Sequence, residues 1–421
     1  NASPGGDGSE AAPFTSLADL LAHNELFPSS GLESLHVVLF PGVYTGDSNI
    51  GLTFNGLRLH LMSYRAYTND NELAASTFNC RASGDLPESA TVFKAHDEGS
   101  LTLHGLEFEY CGAVLVYRGQ RGVAATFHPI SIHACSFLAI ASDALVVSSN
   151  NLIEIRDSQI KRSGGAWLRV MGAADLTTQL MVSNSTLEAS GGFNLVYVAL
   201  EMDSVTFTNM LDRAIFLNPT HSAPISRIHG CKFRETDVVS FDGTMLYAEG
   251  LAVDPDDTHL EVTGCQFEGV NAMRGPMWLG NLDARVQGCD FVGGVSWEGG
   301  AIFASSATVT LGDVTFTDTY AALGGAVFLQ QESVLHLLED VMFINTTAEM
   351  GHSSAVFCGS DQDRLMAASE AEYAAVLNGS TQCKLHWGES GNGIPVATDP
   401  IDEGEAAASL FGVPMVIGLV M

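Results

Sequence analysis

A solenoid of stacked parallel β-coils, in other words an all-β, single-stranded parallel β-helix, is the fold class this sequence predicts, on three observations. First, a short signature recurs: two alternating apolar residues, a two-residue break, a small apolar residue, any residue, then a large apolar one. Period-two alternation on both sides of a break means two short strands, each with one face turned inward. Second, the second residue of the break is Gly56, Gly105, Ala134, Asp157, Asn184, Ser204, Gly230, Gly264, Gly288, Asp313 or Asp340. Most of these tolerate the left-handed conformation or bond their own backbone, as a sharp corner requires. Third, the large residues that close successive copies, from Phe108 to Phe343, follow one another at 20 to 34 residues. A propeller blade needs even spacing, whereas a coil bulges a loop outward without disturbing its neighbours.

The elements follow in chain order. Residues 1–34 form an N-terminal segment in which "FTSLADLLAHNELF" reads as an amphipathic capping helix, with Ser16 as N-cap, Asp19 three residues on, and Leu17, Leu20 and Leu21 as its apolar stripe. Such a cap covers the unpaired strand edge that an open solenoid exposes. Residues 35–359 carry the coils, whose eleven signature copies run from Leu52 to Phe343. At about 4.8 Å per coil, roughly twelve coils make a rod on the order of 55 to 60 Å long. Within it "GGAIF" at Gly299 and "GGAVF" at Gly324 repeat 25 residues apart, their paired glycines reading as corners before an inward strand.

Residues 360–388 form a second cap, read as a helix over "DRLMAASEAEYAAVLNG" that ends at Asn378-Gly379. Residues 389–409 are an acidic linker, and 410–421 an apolar segment of twelve residues, too short to span a bilayer alone. That segment reads as the start of a longer transmembrane helix, a lipid-anchor signal, or a strand buried against a partner, with membrane entry favoured.

The opening "VVLFPGVYTG", Val37 to Gly46, resembles the first strand of pectin-lyase-like right-handed parallel β-helices, an apolar run leading into Pro-Gly-x-Tyr. The later coils, with Phe near the corner and Gly-Gly-Ala-[Ile/Val] a few residues on, resemble the repeats of chlamydial polymorphic outer membrane proteins and similar surface adhesins. The resemblance implies a right-handed coil. In its enzymes, catalysis rests on clustered Asp residues or on acidic calcium ligands with Arg or Lys.

Charge narrows the partners. The 49 acidic against 18 basic residues, a formal net charge of -31, repel phosphate backbones and anionic lipid, so nucleic acid is excluded. The chain begins at Asn1 without Met, as a secreted protein does after its signal peptide is removed, and carries Asn-x-Ser/Thr sites at Asn1, Asn184, Asn345 and Asn378. An extracellular or cell-surface location, anchored at the C-terminus, is the expectation, with glycosylation at Asn184, Asn345 and Asn378.

Eight cysteines show no CxxC pair, which removes zinc and thioredoxin-like readings. Cys135, Cys231, Cys265 and Cys289 share one repeat position with Leu57, Leu106, Ser158, Ser185, Val205, Val314 and Val341. A column that accepts Cys, Ser, Val and Leu asks for something small and buried, so these four are expected to be inert core. Cys80 with Cys111, and Cys358 with Cys383 around the second cap, are the disulfide candidates.

The acidic clusters are "DPDDTH" (Asp254, Asp256, Asp257, His259) and "TNDNE" (Asp70, Asn71, Glu72). Both read as exposed loops. The first supplies the weak metal candidates Asp254, Asp256 and Asp257, with calcium as the ion they suit; no other cofactor is expected. Neither lies on an alternating strand where several coils converge, and no nucleophile elbow, phosphate loop or zinc helix is present. The reading favoured on this basis is a non-catalytic extracellular ectodomain, a structural, anchoring or adhesion module binding a membrane protein or extracellular fibre. The alternative is a carbohydrate-active lyase or hydrolase, or a carbohydrate-binding β-helix, with glycans as partners.

Overall fold

Alternating residues fix two faces per strand, and the coil closes because three such strands in every turn send their inner faces to one axis. The computed structural model describes residues 16–25, 34–81, 90–96, 99–119, 129–148, 152–172, 178–219, 225–237, 244–250, 259–338, 340–349, 355–367 and 383–387. All lie in one unit running from Asn1 to Gly388. It is a right-handed single-stranded parallel β-helix, whose 12-stranded third sheet marks eleven successive turns. The first sheet has 14 strands, from Ser34–Leu39 to Lys384–Trp387, and the second has 15. Every pairing is parallel and in register: Ile130 lies beside Leu101 on one side and Ile153 on the other, so like residues stack on like.

Ten of the eleven corners follow the first sheet, where the sequence places them, whereas Gly56 joins the third-sheet strand Leu52–Asn55 to the first-sheet strand Arg58–Ser63. All eleven break residues have positive φ, from 48° at Asn184 to 67° at Gly105. Each left-handed non-glycine costs about 1 kcal/mol or more, and an inter-coil hydrogen bond offsets it. The amide of Asp157 donates to the Ser183 carbonyl at 3.1 Å, and that of Asn184 to Asp203 at 3.1 Å. A second left-handed corner follows the second sheet, at Tyr110, Ala139, Arg162, Ala189, Asn209, Asp318 and Asn345. Asn209, Asp318 and Asn345 suit it, but Tyr110, Ala139, Arg162 and Ala189 give no hint of it. It persists because Tyr110 donates to Leu138 at 3.0 Å and Arg162 to Glu188 at 3.0 Å, the same inter-coil bond.

The closing residues of the signature form an axial stack in the core. Phe78, Phe108 and Phe137 lie at centroid spacings of 5.2 and 5.3 Å, and Phe207 through Phe343 continue at 4.5 to 5.2 Å. Where Ile160 and Leu187 interrupt the series, Trp167 and Phe193 from the third sheet fill the gap edge-on. Aromatic packing is therefore continuous although the Phe column is not.

The N-terminal cap is the helix α1 (Leu17–Glu25). The Ser16 hydroxyl accepts from the Asp19 amide at 3.1 Å and donates to the Asp19 carboxylate at 2.8 Å, a reciprocal cap. Leu17 is buried, and Leu20 and Leu21 pack on the core. At the other end the helix expected from residue 363 is not what forms: Arg364–Ala367 is a strand pairing with Val334–Leu337 and with Lys384–Trp387. The apolar Leu365, stacked on inward Leu335, continues the coil instead. The rest of that expected helix, with residues 368–382, lies outside the described residues. So do the linker and the apolar tail at 389–421. Among the described residues, no helix is long and apolar enough to cross a membrane.

Both expected disulfides are formed, Cys80–Cys111 and Cys358–Cys383. Paired cysteines of this kind belong to an oxidising compartment. The first ties neighbouring coils and the second holds the last strands together.

Candidate functional site: an aromatic flank on the third sheet

Outward positions of a solenoid are usually polar, yet on the third sheet six consecutive coils place an aromatic there. Between the inward pairs Ile215/Leu217, Leu246/Ala248, Met277/Leu279, Ile302/Ala304, Val327/Leu329 and Val356/Cys358 stand Phe216, Tyr247, Trp278, Phe303, Phe328 and Phe357. Their rings stack at 5.1, 4.1, 6.3, 5.3 and 5.3 Å. Phe303 is fully buried, Trp278 and Phe357 are 8% exposed, and Phe216 and Tyr247 are half-buried. The ladder thus runs from an open end at Phe216 into shelter beyond Trp278.

One wall of that shelter is an added ridge. The second sheet carries three extra strands, Val295–Glu298, Tyr320–Leu323 and Thr347–Ala348, and Leu323 packs against the ladder. Two cations lie at the turns leading into the sheet. The guanidinium of Arg213 stands 4.5 Å from the Tyr247 ring centroid, and that of Arg274 stands 5.1 Å from that of Phe303. Arg274 also pairs with Glu298 at 3.5 Å. Burial raises the Glu298 carboxyl above the ordinary carboxylate range, and the Arg274 charge pulls it part of the way back.

A polar row runs alongside, two residues further along each strand. It comprises Asn218, Glu249, Gly280, Ser305 and Gln330, with Glu249, Gly280, Ser305 and Gln330 in direct register. The Tyr247 hydroxyl donates to Glu249 at 2.8 Å, and Ser305 donates to Gln331 at 2.7 Å. Gly280 is the notch in this row. A Cβ there would come within 2.3 Å of Trp278 Cη2, so the indole lies across the glycine backbone because no side chain stops it. Two polar atoms of the flank are buried without a hydrogen-bond partner: the Trp278 Nε1 donor and the Asn218 Oδ1 acceptor. Leaving such groups unpaired costs about 1 to 3 kcal/mol each, which a polar ligand or ordered water recovers.

Phe303 and Phe328 are the aromatic residues of "GGAIF" and "GGAVF". The doubled phrase, read from sequence as corner architecture, therefore also supplies two rungs of the outer ladder. The six rungs fall 31, 31, 25, 25 and 29 residues apart, one position off the inward residues, and nothing in the inward periodicity marks them. The readable signal is an aromatic immediately after an inward Ile or Val, which holds for Phe216, Phe303, Phe328 and Phe357 but not for Tyr247 after Leu246 or Trp278 after Met277.

The residues singled out from sequence fall elsewhere. Asp254, Asp256 and Asp257 lie outside the described residues, as does Asn378. Among the described residues, no cluster of three or more His, Cys, Asp or Glu is arranged to hold a metal. His259 pairs with Asp283 at 3.3 Å. Asn184 and Asn345 both stand exposed at left-handed corners, and Asn345 donates to Asp318 at 3.1 Å.

The cysteine column is buried, and its chemistry is that of a corner. Cys135 Sγ donates to the His133 carbonyl at 3.3 Å, as Ser158 Oγ does to Arg156 at 2.8 Å. The amides of Cys231 and Cys265 donate to the sulfur of the next coil at 3.4 Å. Cys and Ser therefore interchange because either side chain takes both bonds. Burial pushes the Cys135 thiol up to about 12. The side-chain hydrogen bond of its thiol with Cys231, with burial added, raises Cys265 to about 12. All four free thiols are expected to resist an aromatic disulfide reagent in the folded protein and to react after denaturation, with absorbance as the readout. Rapid labelling without unfolding contradicts the inert reading.

Fold and flank together define a parallel β-helix with a column of aromatic residues on one outer sheet, open at Phe216 and Tyr247 and buried beyond them. Scans against protein families and curated proteins give no match. Among solved structures, the chain is similar to the catalytic domain of a substituted GH87 alpha-1,3-glucanase in complex with tetrasaccharides, at 10% identity and a TM-score of 0.39 over 83% of this chain. It is similar to a second such catalytic domain, in complex with nigerose, at 9% identity and a TM-score of 0.38 over 85% of this chain and 67% of that one. The chain spans 66% of the first of these, just under two thirds of its length. Both neighbours are sugar-bound catalytic domains, and against them the expected role as a non-catalytic anchoring or adhesion module is corrected. The physical reason is one of direction. The absence of a converging cluster was judged from inward periodicity, which does not report an outward column.

Proposed function

We propose that the protein is a carbohydrate-active or carbohydrate-binding β-helix that takes a neutral polysaccharide along the outer face of its third sheet. The observation carrying this reading is the pair of orphaned polar atoms, Trp278 Nε1 and Asn218 Oδ1, set beside an aromatic ladder and a polar row. A sugar ring offers what this flank lacks, hydroxyls that both accept and donate, together with C–H surface for the aromatic edges. A net charge of -31 works against uronic-acid polymers and leaves neutral chains. The two disulfides support an oxidising, extracellular setting for this work.

Hydrolysis in addition requires two carboxyl groups across the scissile bond, one of them holding a proton. Glu298, whose carboxyl burial raises and Arg274 partly lowers, and Glu249 are the carboxylates beside this flank that substitution to Gln would test for such a role.

Affinity electrophoresis in gels cast with neutral glucans, xylan or polygalacturonate tests the reading. Retardation is expected in a neutral gel. Gly280→Ala, whose Cβ displaces the buried Trp278 ring, is expected to weaken it about tenfold and to lower the unfolding midpoint, so retardation is compared well below the unfolding transition of the variant. Unchanged retardation in that variant sinks the assignment of this flank. Release of reducing ends in the same incubations separates a hydrolase from a binding protein.

A further inference from the structure

We infer that the protein carries a second carbohydrate-binding platform, at the corner between the first and second sheets near the N-terminal end. The inference stands on its own residues and does not depend on the third-sheet flank. After the strand Arg58–Ser63 the chain makes a single helical turn, α2 (Tyr64–Thr68). This turn buries none of its own residues, yet both ends are built with care. Ser63 Oγ accepts from the Ala66 amide at 3.1 Å, and Asn69, left-handed at φ 56°, returns its amide to the Arg65 carbonyl. Ala66 packs so closely on the neighbouring coil that a Cβ on Gly105 would come within 2.8 Å of it. A short turn with no core of its own is normally frayed, and here it is clamped.

What the clamp holds is a row of rings. Phe40 and Tyr64 stack at 5.0 Å, and Tyr64 and Tyr67 at 6.4 Å. Phe40 is 40% exposed and Tyr67 is 65% exposed. Tyr44 pins the Phe40 backbone, its hydroxyl donating to the Phe40 carbonyl at 2.8 Å. Two large rings so exposed, Phe40 and Tyr67, with Tyr64 half-buried between them, mark a binding surface, because such exposure costs solubility.

The rim identifies the ligand. The loop after α2 presents Asp70, Asn71 and Glu72, all exposed, with Asp70 Oδ1 accepting from the Glu72 amide at 3.0 Å and so ordering the loop. Planar rings followed directly in the chain by a loop of exposed carboxylates and an amide suit a pyranose, whose C–H face stacks and whose hydroxyls donate to such acceptors. The acidic rim and the net charge of -31 oppose nucleic acid, anionic lipid and acidic glycans. The ligand class is accordingly a neutral glycan.

The same neutral-glucan, xylan and polygalacturonate gels test this site with Tyr67→Ala beside Gly280→Ala. Because Tyr67 is mostly exposed, its loss leaves the fold intact, which thermal unfolding verifies. Retardation of Tyr67→Ala in a neutral gel is expected to weaken about three- to tenfold, and a double variant is expected to weaken further than either single one. Loss in Tyr67→Ala alone supports this platform and removes the third-sheet flank. Loss in Gly280→Ala alone overturns the platform. Retardation of wild type in no gel overturns both. Self-association that Tyr67→Ala abolishes, read by sedimentation, also overturns the platform by making a second copy its occupant.

Discussion

Phe267→Ala is expected to lower stability by about 3 to 5 kcal/mol, among the largest effects of any single side chain in this protein. Phe267 is 1% exposed and lies in the axial stack between Phe233 at 4.5 Å and Phe291 at 4.7 Å. Its rings are nearly parallel to both neighbours, at 2° and 4°, so contact is made over whole faces. The cavity left by alanine cannot close. Backbone bonds on both sides, Gln266 to Cys231 at 2.9 Å and Asp290 to Cys265 at 3.0 Å, hold the coils at their spacing. Because each coil touches only its neighbours, the damage should be local. Urea unfolding gives the magnitude, and amide exchange should quicken first at Gln266 and Asp290. A loss below about 1 kcal/mol would show that the coils do collapse.

Gly300→Ala is expected to cost about 3 kcal/mol or to abolish folding, through the backbone and not through lost packing. The doubled phrase places two glycines side by side for two different reasons. Gly299 is left-handed at φ 62°, and Gly324 repeats this one coil later at φ 63°. Gly300 has ordinary φ, but a Cβ on it would lie 1.9 Å from the Gly325 carbonyl oxygen in the next coil. That oxygen belongs to a main chain held by the bond from the Gly300 amide to Gly324 at 3.0 Å, so it cannot retreat as a side chain would. Gly312→Ala is the matching control. Its Cβ would meet only the Leu338 side chain, at 3.5 Å, and its midpoint in thermal or urea unfolding should stay near that of wild type. Equal effects from the two substitutions would disprove the close-approach argument.

Local residue types carried much of the fold. The left-handed corners at Asp157, Asn184 and Asp313 were readable because those side chains favour that backbone region. Ser16 and Asp19 named the N-terminal cap for the same local reason, and Cys80 and Cys111, about one coil apart, announced their bridge. The second corner was not readable, since Tyr110 and Arg162 are poor left-handed residues held there by the coil beneath them. The strand at Arg364–Ala367 was misread as helix because its alternation is short and borders a helix-favouring Ala-rich run, and register with Val334–Leu337 decided it.

The candidate site divides in the same way. Phe303 and Phe328 stood in plain sight within the repeated phrase, but Phe216, Tyr247, Trp278 and Phe357 have no shared local context. Their alignment depends on how many residues each outward loop absorbs. The sequence by itself determined that this chain winds into a parallel coil with an apolar axis and an acidic exterior, because alternation, corner residues and charge are local properties. Only the tertiary structure decided which outward residues of successive coils come to lie one above another. Loop lengths vary from coil to coil, and the inter-strand hydrogen bonds alone set the register that turns scattered aromatics into a ladder.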